Sequence, residues 1–223
     1  MEDEYLIQPV EEARMTIFDS TIDLGTDVSE LCIDMLQDEG IVKDIPVLGT
    51  VYKVGKIGYS VARLTFIKKV LAFAQEMQRN DVDKNILKKH KELSLTNPKK
   101  YNSELEILIE YLNRQVGCEK AILNARAYYL YLDEQINYQS LQLLWEVIDQ
   151  LYLSDKETLI RLYENEVFTE EDEYNQLACK RLSYCGLIDF FNGMPAQDFE
   201  SNSVIYAKIA SLGQYFCETL LLI

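Results

Sequence analysis

Residues 121–153 read AILNARAYYLYLDEQINYQSLQLLWEVIDQLYL, and the period of their apolar residues sets the class of the fold. Leu141, Leu144, Trp145, Ile148 and Leu151 recur at three- and four-residue steps, the spacing of one face of an α-helix. This predicts one helix over 138–152 and another over roughly 119–132, separated by the polar run Asp133-Glu134-Gln135. Working outward, Leu105, Leu108, Ile109, Leu112 and Val116 give a helix that ends at Gly117, and a further helix is expected over about 155–166. Short breaks between successive helices imply antiparallel neighbours in a small bundle, assigned to 103–168.

Three capping boxes punctuate this region: Ser103 with Glu106, Ser154 with Glu157, and Thr169 with Asp172. Each pairs a hydroxyl with a carboxylate three residues on, so each predicts a helix start. Residues 80–102 are polar and lysine-bearing, with Asn97-Pro98, and read as a linker or capped turn.

The last fifty residues change character. After a helix from Thr169 to Cys185-Gly186, Leu187-Ile188-Asp189-Phe190-Phe191 reads as a strand, and Val204–Ile209 as a second one. Gly213 opens a final helix. The order resembles the end of a winged-helix domain, assigned to 169–223. The fold expected is mainly α: a helical bundle with a small C-terminal winged-helix-like α+β end.

Composition agrees with that class. Of 223 residues only 9 are Gly and 4 are Pro, which favours helices over a sandwich or barrel. The formal charge is −15, which sets the chain against generic nucleic-acid binding. The five cysteines, Cys32, Cys118, Cys179, Cys185 and Cys217, are widely spaced without a C-x-x-C, the usage of a reducing compartment. The acidic start Met1-Glu2-Asp3-Glu4 is unlike a secretory leader, so the expected location is cytoplasmic.

Charge is unevenly spread: residues 1–40 carry −11, residues 41–79 carry +5, residues 80–120 carry +1 and residues 121–223 carry −10. Residues 1–26 read as a loose acidic arm, and 27–39 as a helix stopped by Gly40. Within 27–79, Gly49, Gly55 and Gly58 break the chain before an amphipathic helix begins at Ser60. Val61, Leu64, Ile67, Leu71 and Ala74 form one stripe, and Phe66, Val70, Phe73 and Met77 the next, with Arg63, Lys68, Lys69 and Glu76 largely outside both.

Motifs of chemistry fail on inspection. The run GTVYKVGKI has five residues between Gly49 and Gly55, where a phosphate loop needs four, and Ile57 stands where Ser or Thr should follow Lys56. His90 is the one histidine, placed in a lysine-rich run read as solvated, and it can build neither a His-based metal site nor a triad there. No catalytic residue, cofactor, metal or small-molecule substrate is expected, and the chain reads as non-enzymatic.

The residues singled out as a contact surface are Val61, Arg63, Leu64, Phe66, Ile67, Lys68, Lys69, Val70, Leu71 and Phe73. A basic face beside a Phe- and Leu-bearing one is the pattern of a helix lying on anionic lipid, here a peripheral contact at the inner face of the membrane. The alternative is a soluble protein–protein interaction module in which the same stripe is core, partner interface or a self-association surface. The acidic arm could cover the basic segment until a trigger releases it.

The stretch from about Glu30 to Ala74, with IPVLGT, KVGKIGYS and FIKKVLAF, resembles a family of uncharacterised bacterial proteins that pair an Ile-Pro-x-x-Gly segment with an amphipathic helix. Together with AILNARAYYLYLDEQINYQSLQLLWEVIDQLYLSDKETL, which looks like that family's helical half, the resemblance covers roughly 28–163. The tail, RLSYCGLI and YAKIASLGQYF, is similar to the end of the abortive-infection alpha family, except that Ala210-Ser211 stand where that family has a threonine before its Leu-Gly turn. The resemblance implies a bacterial phage-defence setting and supplies no active site.

Overall fold

Asn97-Pro98 starts the first long helix of the bundle. In the computed structural model Asn97 Oδ1 accepts a hydrogen bond from the Lys100 N–H at 3.3 Å, and Pro98 takes the first helical position, where its missing N–H costs nothing. The helix therefore starts six residues earlier than the Ser103–Glu106 pair predicts, with Asn97 rather than Ser103 as the N-cap, and Ser103 lies inside it. The structure describes residues 61–79, 83, 85, 86, 90, 92, 95–164, 167–169, 173–193 and 204–222. The expected acidic arm, the helix over 27–39 and the Gly-broken segment lie outside the described residues.

The chain is mainly α. Helix α1 spans Val61–Met77, α2 Pro98–Arg114, α3 Cys118–Leu132 and α4 Tyr138–Gln150. A 3₁₀ turn, Leu153–Asp155, leads into α5, Lys156–Glu164. Then come β1 (Val167–Thr169), α6 (Glu173–Tyr184), β2 (Ile188–Gly193), β3 (Val204–Ile209) and α7 (Ser211–Phe216), which continues as a π-helical turn over Cys217–Leu221. Contacts divide the chain into two units between Trp145 and Glu146, within α4.

In the first unit α1 packs chiefly on α3, and also on α2. Its core buries Phe73 and Met77 of α1, Leu105, Leu108 and Leu112 of α2, Tyr128 of α3, and Leu141 and Trp145 of α4. The break after α2 turns on Gly117, whose φ of 84° suits a residue without a Cβ. The break after α3 is a Schellman turn: the Gln135 N–H reaches the Leu130 carbonyl at 2.9 Å and the Glu134 N–H the Tyr131 carbonyl at 3.1 Å. Glu134 sits there at φ 61°, a place where glycine is usual. Asn137 caps α4 through its Oδ1, which accepts from the Ser140 N–H at 2.9 Å.

The second unit, Glu146–Ile223, takes in the end of α4, the 3₁₀ turn and α5 as well as the α+β end read over 169–223. Its three antiparallel strands run in the order β1-β3-β2, with Val167 opposite Lys208 and Ile188 opposite Ile209. Both strands read from the sequence are present, and β1 is an addition: Thr169, expected to cap a helix, closes this strand instead, and α6 starts at Glu173. Ser154 likewise lies in the 3₁₀ turn rather than at the start of α5, and its hydroxyl donates to Asp155 Oδ1 at 3.1 Å. Helix α6 stops at Gly186 (φ 72°), and Leu187 then passes so close to α7 that only glycine fits at position 213.

Candidate functional site

The ten residues singled out in the sequence meet different fates along α1. The side chains of Val61, Arg63, Leu64 and Ile67 lie outside the described residues. Phe66 and Lys68 are half-buried, while Lys69, Val70, Leu71 and Phe73 are buried. The later half of the apolar stripe is thus core of the first unit.

Its polar residues are engaged as well. Lys69 Nζ donates to the carbonyl oxygens of Asn113 and Gln115, both at 2.8 Å, and so closes the C-terminal end of α2. Burial lowers the Lys69 pKa, and the nearby Cys118 opposes that shift in part. Glu76 Oε1 accepts from Arg79 and from Arg126 Nε, each at 2.7 Å. Behind them the Asn124 amide donates to Gln115 Oε1. That leaves Gln115 Nε2 and Asn124 Oδ1 buried without a partner among the described residues.

His90, expected on a solvated face, is buried with 3 % exposure. Its Nε2 shares a hydrogen bond with the Tyr128 hydroxyl at 2.9 Å, and its ring lies 5.1 Å from that of Tyr101. Burial, reinforced by the charge of Lys100, lowers its pKa to about 4. Tyr131 donates to the buried Glu104 at 2.8 Å, and burial with this bond raises the tyrosine pKa. These groups fill the packed interior of the first unit, with Trp145 stacked 6.0 Å from Tyr128. His90 with Tyr128, and Tyr131 with Glu104, are two hydrogen-bonded pairs set into the packing of the first unit rather than an open site.

The second unit presents the opposite arrangement. On α6, Ala178, Cys179 and Leu182 point inward and are buried. The outward side carries Leu177, 51 % exposed, Lys180, and Tyr184, 84 % exposed. At 100° per residue, positions 177, 180, 181 and 184 fall within an arc of about 100°. Arg181, on the same side, is held from below: its Nε and Nη2 donate to the two Asp155 oxygens at 2.6 and 2.5 Å. Its guanidinium also lies 5.0 Å from the Tyr152 ring centre, and Tyr152 is 61 % exposed. Two exposed tyrosines, a leucine and an arginine fixed by a buried carboxylate make a patch of the kind enriched at the centres of protein interfaces. Residue order alone does not separate Leu177 and Tyr184 from the buried Ala178, Cys179 and Leu182 of the same helix, so this face is visible only in the fold.

Among the described residues no group of three or more His, Cys, Asp and Glu side chains is placed to hold a metal ion, and no helix is long and apolar enough to cross a membrane. Compared with protein families, with characterised proteins and with solved structures, the chain matches none.

Proposed function

We propose that the chain is a non-enzymatic protein-interaction module whose contact surface is the outer face of α6, with Leu177, Lys180, Arg181 and Tyr184, flanked by Tyr152. The observation that carries this is the exposure of Leu177 and Tyr184 on the solvent side of a helix whose other side is already buried. What sets this pair apart from single exposed apolar residues is that Arg181, which lies over the exposed Tyr152 ring, shares their face of α6. The Asp155–Arg181–Tyr152 arrangement adds preorganisation, since the arginine loses little freedom when a partner arrives.

The rival reading, a membrane-surface contact through Val61–Phe73, is weakened by packing. Val70, Leu71 and Phe73 would have to leave the core of the first unit to meet lipid. A bacterial phage-defence setting rests solely on the resemblance of the C-terminal tail.

The test is photo-crosslinking in the native host, with p-benzoylphenylalanine at position 184 and, as a control, at the exposed position 95. A discrete crosslinked protein at 184 and none at 95 is the expected result. Equal labelling at both positions, or none at 184, would overturn the assignment. Salt-sensitive flotation of the purified protein on anionic liposomes would return the contact to α1.

A further inference from the structure

We propose that the α6 face receives a helix of a partner protein that sets a carboxylate between two apolar residues, the carboxylate meeting Lys180 and the apolar residues covering Leu177 and Tyr184. This rests on the reading of that face as the contact surface, and names the chemistry of what it binds.

The pattern on the face is apolar, cationic, apolar. A rise of 1.5 Å per residue puts Leu177 and Tyr184 roughly 10 Å apart along α6, with Lys180 near the midpoint. Arg181 is committed to Asp155, so the charge turned toward a visitor is that of Lys180. No carboxylate on its own helix can answer it: the positions three and four residues away hold Gln176, Leu177, Ser183 and Tyr184. Lys100 and Arg114 differ in this respect, each having a glutamate one turn away, Glu104 and Glu110. A partner helix supplies the complement with apolar residues at i and i+7 and Asp or Glu at i+3 or i+4.

Charge also decides among occupants. A second copy docking about a two-fold axis would set Lys180 against its own symmetry mate, a like-charge contact at the centre of the patch. An anionic lipid surface or a nucleic acid would face a chain of net charge −15 with one exposed cation on the patch. A single carboxylate framed by apolar groups fits the local charge without meeting the global one.

The experiment uses the full chain with p-benzoylphenylalanine at position 177, irradiated in the native host, and sequences the crosslinked peptide. The expected peptide belongs to another protein and carries Asp or Glu three or four residues from the crosslinked position. Lys180→Glu is expected to cut the crosslink about fivefold or more, because it turns an exposed attraction into a repulsion. Lys180→Arg is expected to keep it, and both variants to retain the circular dichroism and melting of the parent. An unchanged yield in Lys180→Glu, a peptide without the acid, or a peptide from a second copy would overturn the partner chemistry while leaving the contact surface standing. No crosslink from either 177 or 184 would overturn both.

Discussion

The ammonium of Lys69 donates to the carbonyl oxygen of Gln115 at 2.8 Å, across 46 residues of chain. The same nitrogen donates to Asn113, so a side chain of α1 satisfies carbonyls that the end of α2 cannot satisfy itself. A cation also suits the negative end of the α2 dipole. A lysine that belongs by period to a polar stripe thereby becomes a tie between two helices.

Replacing it tests that role. Lys69→Met keeps most of the volume and removes both hydrogen bonds, leaving two carbonyls with no other side-chain donor among the described residues. The expected loss is about 1–3 kcal/mol, read as a lower urea midpoint. An unchanged midpoint would show that water reaches those carbonyls.

His90 gives the fold an acid sensitivity with a defined sign. Its pKa falls to about 4 in the fold, against 6.5 as the ordinary value, so between these the unfolded chain binds the extra proton. Stability tied to this group is complete above the ordinary value and is lost as pH drops toward 4. Burial is the larger cause and the charge of Lys100 adds to it, and both disfavour an imidazolium. The full effect is about 3 kcal/mol. Urea unfolding at pH 7 and pH 5 should show the parent losing part of this and His90→Gln losing markedly less.

Glu134 occupies a left-handed position in the turn after α3, with φ 61°. The side chain is exposed. Glu134→Gly should raise stability by about 1 kcal/mol, since glycine adopts this conformation without the Cβ penalty. A fall in the melting temperature would mean that the carboxylate has a role outside the turn.

Much of the fold is legible in the residue order. The period of Leu141, Leu144, Trp145, Ile148 and Leu151 names its helix, and the paired strands β2 and β3 read out from their flanking turns. What escapes is short or set from afar. β1 is three residues long, and its strand state comes from pairing with β3 some forty residues later. The hydroxyl–acid pairs at Ser103, Ser154 and Thr169 have the spacing of caps, yet Asn97-Pro98 and the 3₁₀ turn pre-empt the first two, and the sheet takes the third. His90 lies among lysines in sequence but beneath Tyr101 and Tyr128 in space. The stripe on α1 is legible as a period, whereas the helix that it packs on is not. The α6 face needed the fold outright, because exposure of Leu177 and Tyr184 follows from which side of α6 meets β2.

Gly213 marks a point where two backbones meet. A Cβ at this position would lie 1.9 Å from the Leu187 carbonyl oxygen and 2.8 Å from its carbon. That oxygen already accepts from the Ala210 N–H at 3.0 Å, so the strand entry and the start of α7 are locked together. Gly213→Ala should therefore cost about 1–3 kcal/mol or more, as overpacking against main chain does, and it should lower the melting temperature measured by circular dichroism. A neutral result would mean that α7 slides freely on Leu187.

Asp155 and Tyr184 separate folding from contact in the second unit. Asp155 is fully buried and carries the paired charge of Arg181, so Asp155→Asn leaves the guanidinium with a weaker acceptor. Breaking a buried pair from one side costs about 3–5 kcal/mol, less here to the extent that the partly exposed arginine can turn to water. Tyr184→Ser removes a side chain that its own fold barely touches, and should move stability by no more than about 0.5 kcal/mol. If the α6 face is the contact surface, Tyr184→Ser should abolish crosslinking from position 177 at unchanged stability. Asp155→Asn should weaken both, because it loosens the arginine that shapes the patch. Equal stability losses in the two variants would instead place Tyr184 in the core of the unit and remove the ground for the surface.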